Sequence, residues 1–242
     1  MKIKENVNQF DRDVVDGGGY QYTGARLSSR IANKRMSMSI KEIYDFSNKS
    51  VLDCGCGDGA YTNDFVDFGA SEIVALDPAK EAIALAEKNR TSDKVVFAVG
   101  DIYNLKDNVL MCARQRMFDV AVLRGVLHHV SDQANAVKSV AGVAKAVIVV
   151  EPNGSNPVLK IIEKVSKYHI AHEEQSFSMA DIDSWLRQAG FHRSEGKYIN
   201  LVPFFCPDWF ARIADILTPV VERIPVLRRF ACGQIVIKAT KE

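Results

Sequence analysis

Val51-Leu52-Asp53-Cys54-Gly55-Cys56-Gly57-Asp58-Gly59-Ala60 reads as the end of a buried strand, a glycine-rich turn and the start of a helix. Val51 and Leu52 supply the apolar strand. Gly55, Gly57 and Gly59 allow backbone angles and close approaches that a side chain would obstruct. Asp58 is a suitable N-cap for a helix running to Phe68, with Gly69 as its stop. A glycine turn leading from strand to helix lets the backbone approach a nucleotide-like ligand.

Gly55, Gly57 and Ala60 also satisfy the dinucleotide spacing G-x-G-x-x-A. Two carboxylates argue against a pyrophosphate. Asp53 lies two positions before the first glycine, and Asp58 sits inside the turn. S-adenosylmethionine has no phosphate, and its sulfonium and ammonium both favour a nearby carboxylate. The stretch resembles motif I of the class I S-adenosylmethionine-dependent methyltransferases. That resemblance assigns Asp53, Gly55 and Gly57 to the cofactor, with Asp53 near the methionyl amine. A nicotinamide dehydrogenase is disfavoured by the same two aspartates.

Further strands follow in order. Ile73 to Leu76 ends in Asp77-Pro78, at a spacing suited to a β-α-β unit. Asp77 can accept both ribose hydroxyls, and Pro78 suits the first turn of a helix over 79–90. Val95 to Val99 ends in Gly100-Asp101-Ile102. By resemblance, Asp101 meets the adenine amino group and the Ile102 amide meets a ring nitrogen. The reading from residues alone is a loop aspartate capping a short helix. Phe118 to Leu123 is a fourth strand opening into Arg124-Gly125-Val126-Leu127-His128-His129. Arg124 joins the expected cofactor set. Ser131 is the expected cap of the next helix. Ala146 to Val150 is a fifth strand followed by Glu151. These continuous apolar runs suit a parallel sheet covered on both faces. The sixth strand is expected over 197–202 and the seventh over 234–239.

The expected fold is α/β: a Rossmann-like, seven-stranded, mostly parallel sheet with helices on both faces. The resemblance makes its last strand antiparallel. One domain spans 1–242, comprising an N-terminal cap (1–48), a cofactor core (49–152), an insertion or lid (153–177), a core continuation (178–203), a helical insertion (204–230) and the final strand (231–242).

Composition restricts the function. Hydrophobic residues make up 47% and charged residues 25%, and the net charge of +1 leaves no broad footprint for nucleic acid. The five cysteines form no C-x-x-C pair and no zinc spacing, so reduced thiols are expected. No apolar run reaches membrane-spanning length and the first residues lack a signal core, so a cytoplasmic location is expected.

Leu127-His128-His129 resembles the element after the fourth strand in methyltransferases of small molecules. Those acting on flipped bases carry an N/D-P-P-Y/F element where this chain reads Arg124-Gly125-Val126-Leu127. His128 and His129 are the candidate catalytic bases, one of them facing the cleft. Glu151, His169 and His172 stand in reserve near the acceptor. His169, His172 and Glu173 would share one helical face, where a polar lid outweighs a metal site; no metal is expected.

The acid-free run from Gly17 to Lys41 carries Arg26, Arg30, Lys34 and Arg35. It reads either as a solvated helix face or as a cap over the site, with Tyr20, Tyr22, Arg30 and Arg35 as substrate candidates and the arginines as clamps for an anionic group of the substrate or for the methionyl carboxylate. Pro207, Pro219 and Pro225 divide the aromatic and aliphatic stretch 204–230 into short helices. Packed helices, a dimer interface, an apolar pocket and a membrane-surface foot all fit it; membrane contact is the less favoured. The expected activity is S-adenosylmethionine-dependent methylation, on oxygen, of a small acceptor with an anionic, lipid-like or sugar-like body, by a monomer or homodimer. The competing reading is a non-catalytic S-adenosylmethionine sensor or scaffold.

Overall fold

The computed structural model describes residues 26–112, 117–165 and 175–241. Seven strands form one sheet in the order β3-β2-β1-β4-β5-β7-β6. They are β1 (Ser50–Cys54), β2 (Glu72–Asp77), β3 (Val95–Val99), β4 (Phe118–Arg124), β5 (Ala144–Pro152), β6 (His192–Ile199) and β7 (Gln234–Thr240). β7 runs antiparallel between β5 and β6; the other pairings are parallel. The order reverses direction between β1 and β4, and ligands of open α/β sheets bind at the carboxyl edge of such a switch point.

Alternation along the strands makes two cores. Leu52, Leu76, Leu123 and Val149 point to one face. There they meet α4 (Leu105–Cys112), α5 (Gln133–Ala141) and α7 (Met179–Gln188). Val51, Ile73, Val122 and Ile148 point to the other, against α1 (Leu27–Ile43), α2 (Asp64–Asp67) and α3 (Lys80–Lys88). Full burial of a side chain such as Ile148 stabilises by about 1.5–3 kcal/mol, so each central strand is held from both sides. α6 (Pro157–Val165), α8 (Asp208–Val221) and α9 (Pro225–Ala231) complete the described chain.

Several boundaries differ from the sequence expectation. The helix after the glycine turn has four residues, Asp64–Asp67, and Asp58 does not cap it. Instead the Asp58 carboxylate accepts from the Ala60 amide at 3.1 Å. The cause is local tethering. Thr62 is drawn onto Asp53, and Gly59 lies so close to Phe97 and Ala86 that a Cβ would meet them at 2.8 and 2.9 Å. The α5 cap is Asp132, which accepts from the Asn135 amide at 3.0 Å, and not Ser131. β6 begins at His192; its first three residues are exposed and polar, as befits an edge strand. Pro219 sits inside α8 and does not end it, whereas Pro207 and Pro225 do mark helix starts. The Ser178–Asp181 capping box of α7 is present with both bonds.

Candidate functional site

The glycine turn is closed by one carbonyl. The amides of Gly55 and Cys56 both donate to Leu76 O, at 2.7 and 3.1 Å, which pulls the end of β1 onto the end of β2. Gly55 has φ +74°, and a Cβ there would lie 2.6 Å from Val126 Cγ2. Gly57, at φ +56°, donates its amide to Asp77 Oδ2 at 2.9 Å. Asp77 Oδ1 accepts from the Ala79 amide at 2.9 Å. The acid at the tip of β2 thus joins the turn to the start of α3. Pro78, beside it, is exposed.

Asp53 is buried in the middle of the sheet's carboxyl edge, and its Oδ2 accepts from Thr62 Oγ1 at 2.7 Å. Burial pushes its carboxyl up to about 6; the Thr62 hydroxyl and the Arg124 guanidinium oppose the rise, and Asp77 adds to it. A carboxylate strained in this way is one that a bound ammonium or sulfonium would stabilise. Asp101 caps the 3₁₀ turn Ile102–Asn104 by accepting from the Tyr103 amide at 2.9 Å, and Ile102 is half-buried beside it. A left-handed turn intolerant of a Cβ, a buried carboxyl needing a cation and a second acid at the tip of the neighbouring strand fit S-adenosylmethionine chemically.

Arg124 has its own set of partners. Nη1 donates to Ser37 Oγ at 2.9 Å, Nη2 donates to Asn33 O and Oδ1 at 3.1 and 2.9 Å, and the guanidinium lies 3.8 Å from the Tyr61 ring centroid. Burial lowers its pKa, while Tyr61, Asp64 and Asp53 push the other way. Arg124 therefore pins α1 to the glycine turn across the end of β4. Tyr61, Thr62, Asn33 and Ser37 were not singled out from sequence. Tyr61 and Thr62 follow the motif directly, which is the one signal that pointed to them.

At the exit of β4, Gly125 turns at φ +69° into the 3₁₀ turn Leu127–His129. Glu151, buried at the end of β5, organises this turn. Its Oε1 accepts from the Val126 and Leu127 amides at 2.8 and 2.7 Å, and its Oε2 meets His128 Nδ1 at 2.6 Å. With its carboxylate aimed at Nδ1, Glu151 favours the tautomer that protonates Nδ1 and leaves Nε2 basic. The His129 ring packs on that of His128, with centroids 3.8 Å apart. The His128 side chain is 10% exposed.

Two sequence candidates lie elsewhere. The Arg35 guanidinium is taken by Glu222, at 2.9 and 2.5 Å, and by Glu42 at 3.0 Å. It ties α1 to the segment after α8 and is no anion clamp, because each of its nitrogens already faces a carboxylate. Arg30 is exposed on α1. Tyr20, Tyr22, His169 and His172 fall outside the described residues. Among the described residues no group of His, Cys, Asp and Glu could hold a metal ion.

Residues 52–147 match the family described as a methyltransferase domain. The chain is 23% identical over 186 residues to a ubiquinone biosynthesis O-methyltransferase of Hydrogenovibrio crunogenus, covering 68% of this chain and 70% of that one. It is 24% identical over 205 residues to a malonyl-[acyl-carrier protein] O-methyltransferase of Bacillus cytotoxicus, covering 79% and 68%. Its fold superposes on the magnesium protoporphyrin IX methyltransferase of Synechocystis, solved with bound S-adenosylmethionine, at a TM-score of 0.68. That match has 13% identity and covers 100% of this chain and 98% of that one. The resemblance carried at first by the turn after β1 thus extends through the sheet: residues 52–147 carry a methyltransferase domain, and the sheet as a whole has the fold of an S-adenosylmethionine-dependent methyltransferase.

Proposed function

We propose that the protein methylates a hydroxyl oxygen of a small-molecule acceptor, with His128 as general base and Glu151 as its positioning residue. The carrying observation is the 2.6 Å contact between His128 Nδ1 and a buried carboxylate that two backbone amides hold in place. Asp53 takes the methionyl ammonium, Asp77 the ribose hydroxyls, and Asp101 with the Ile102 amide the adenine edge. When bound, S-adenosylmethionine supplies an electrophilic methyl group. The chain's own work is to bring the acceptor hydroxyl to His128 Nε2 and receive its proton there. Nδ1–H stays donated to Glu151, whose negative charge offsets the imidazolium that forms. The names of the two curated relatives support oxygen as the acceptor atom.

The test is S-adenosylhomocysteine production with a panel of phenols, quinols and carboxylates. On an accepted substrate, His128→Ala should lower turnover by roughly two to four powers of ten while leaving S-adenosylhomocysteine affinity unchanged. Glu151→Gln should lower it less and move the acid limb of the pH–rate profile to lower pH, because no carboxylate then stabilises the imidazolium. Full turnover in both variants across that profile refutes the base.

A further inference from the structure

The helices that leave the sheet's carboxyl edge present apolar side chains to solvent. Residues 200–233 leave β6 at Ile199 and return to β7 at Gln234, which also pairs with Pro152 of β5. They therefore sit on the edge that carries Glu151. Asn153 secures them there: its Nδ2 donates to Arg229 O at 2.8 Å and Cys232 O at 2.9 Å. α8 buries Ala211 and Ala214 toward Val202 and Ile31. At 100° per residue, Trp209, Ile213, Ile216 and Val220 fall on one other stripe. They are 65%, 50%, 76% and 55% exposed. α9 adds Val226 at 70% and Phe230 at 48%. Val158 and Ile161, one turn apart on α6 just after β5, are 60% and 61% exposed.

The basic charges lie nearer this face than the acidic ones. From Arg223 to Ala231 there is no acid, and Arg223 and Arg229 are exposed. Arg212 borders the apolar stripe of α8, whereas Asp208 and Asp215 lie farther round the helix. Glu222 is neutralised by Arg35. Arg26 lies 5.6 Å from the centroid of the Phe205 ring, which is itself 41% exposed. A second copy of the chain seated by a two-fold axis would set these arginines against one another. An anionic lipid surface meets both features: acyl chains receive the apolar stripe, the phosphates receive the guanidiniums, and Trp209 sits at the boundary. Among the described residues no helix is long and apolar enough to span a membrane, which suits a face that lies on one.

We infer that α8 and α9, with the exposed turn of α6, form a docking face for an anionic membrane surface. The face sets the carboxyl edge of the sheet, with His128 and Glu151, toward the lipid.

The test uses the full chain and vesicles of phosphatidylcholine with and without phosphatidylglycerol. Trp185→Phe leaves Trp209 as the only tryptophan of the sequence. Cosedimentation with the anionic vesicles at low salt, a blue shift of Trp209 emission and loss of both at high salt are expected. The double variant Ile213→Asp/Ile216→Asp should lower the partition coefficient about tenfold or more. Arg223→Glu/Arg229→Glu should do the same and flatten the salt dependence. All four positions are exposed, and circular dichroism melts check that the variants fold. No binding to phosphatidylglycerol vesicles at low salt overturns the inference, as does equal binding by folded variants. A vesicle-free dimer that Ile216→Asp dissociates, with no lipid binding, assigns the face to a second copy.

Discussion

Asp53→Asn should make the free protein more stable and the cofactor weaker. Burial lifts the Asp53 carboxyl from its ordinary 3.8 to about 6. That difference corresponds to about 3 kcal/mol against the ionised form. A raised folded-state pKa means that stability is lost as pH climbs from about 4 to 6 and stays lost above 6. Asparagine carries no such charge. It weakens the Thr62 bond by about 1 kcal/mol, so a net gain of about 2 kcal/mol is expected at pH 7.5. For a chain of this size that raises the melting temperature by roughly 4–8 °C, with little change at pH 4. Binding runs the other way. The ammonium of S-adenosylhomocysteine requires the ionised carboxylate, so wild-type affinity should fall about tenfold between pH 8 and pH 5. The Asn variant should bind weakly and without that pH dependence. Calorimetric titrations across this range, paired with thermal melts, decide it. A wild-type affinity that is flat from pH 8 to 5, with an Asn variant no more stable at pH 7.5, would show that Asp53 is ionised without cost, and the argument fails.

Gly55→Ala should abolish S-adenosylhomocysteine binding and destabilise the fold by about 1–3 kcal/mol, read by calorimetry and urea melts, since φ is +74° and the new methyl meets Val126. Arg124→Lys should cost about 1–3 kcal/mol and lower amide protection in α1, because one ammonium cannot satisfy Asn33 and Ser37 while stacking on Tyr61. Unchanged hydrogen exchange in α1 would contradict that role.

The central strands announced themselves because a parallel strand buried on both faces is a run of apolar residues, as in Val120 to Leu123. The start of β6 did not, because an edge strand with exposed His192, Arg193 and Ser194 resembles a loop. Glu151 and His128 were both candidates, but nothing local joins them. Their contact follows from β4 pairing with β5 in the register Arg124 to Val150. Arg35 misled for the same reason. Its partner Glu222 lies 187 residues away, so the run of positive charge in the first helix looked uncompensated. Asp58 misled differently: a strong cap residue at the right spacing was overridden by Thr62 reaching down to Asp53.

The insertion of β7 between β5 and β6 orders events during folding. Among the described residues β6 pairs with no other strand, and β5 pairs on that side only with β7. Until β7 is synthesised, the wholly buried run Ala146 to Val150 is an open apolar edge, and α8 and α9 have no closed frame to hold them. Ala146 and Thr240, partners in that final pairing, are also far apart in sequence. β3-β2-β1-β4-β5 can therefore gain protection first. Closure by β7 is the late step, at which an emerging chain is most exposed to pairing with its neighbours.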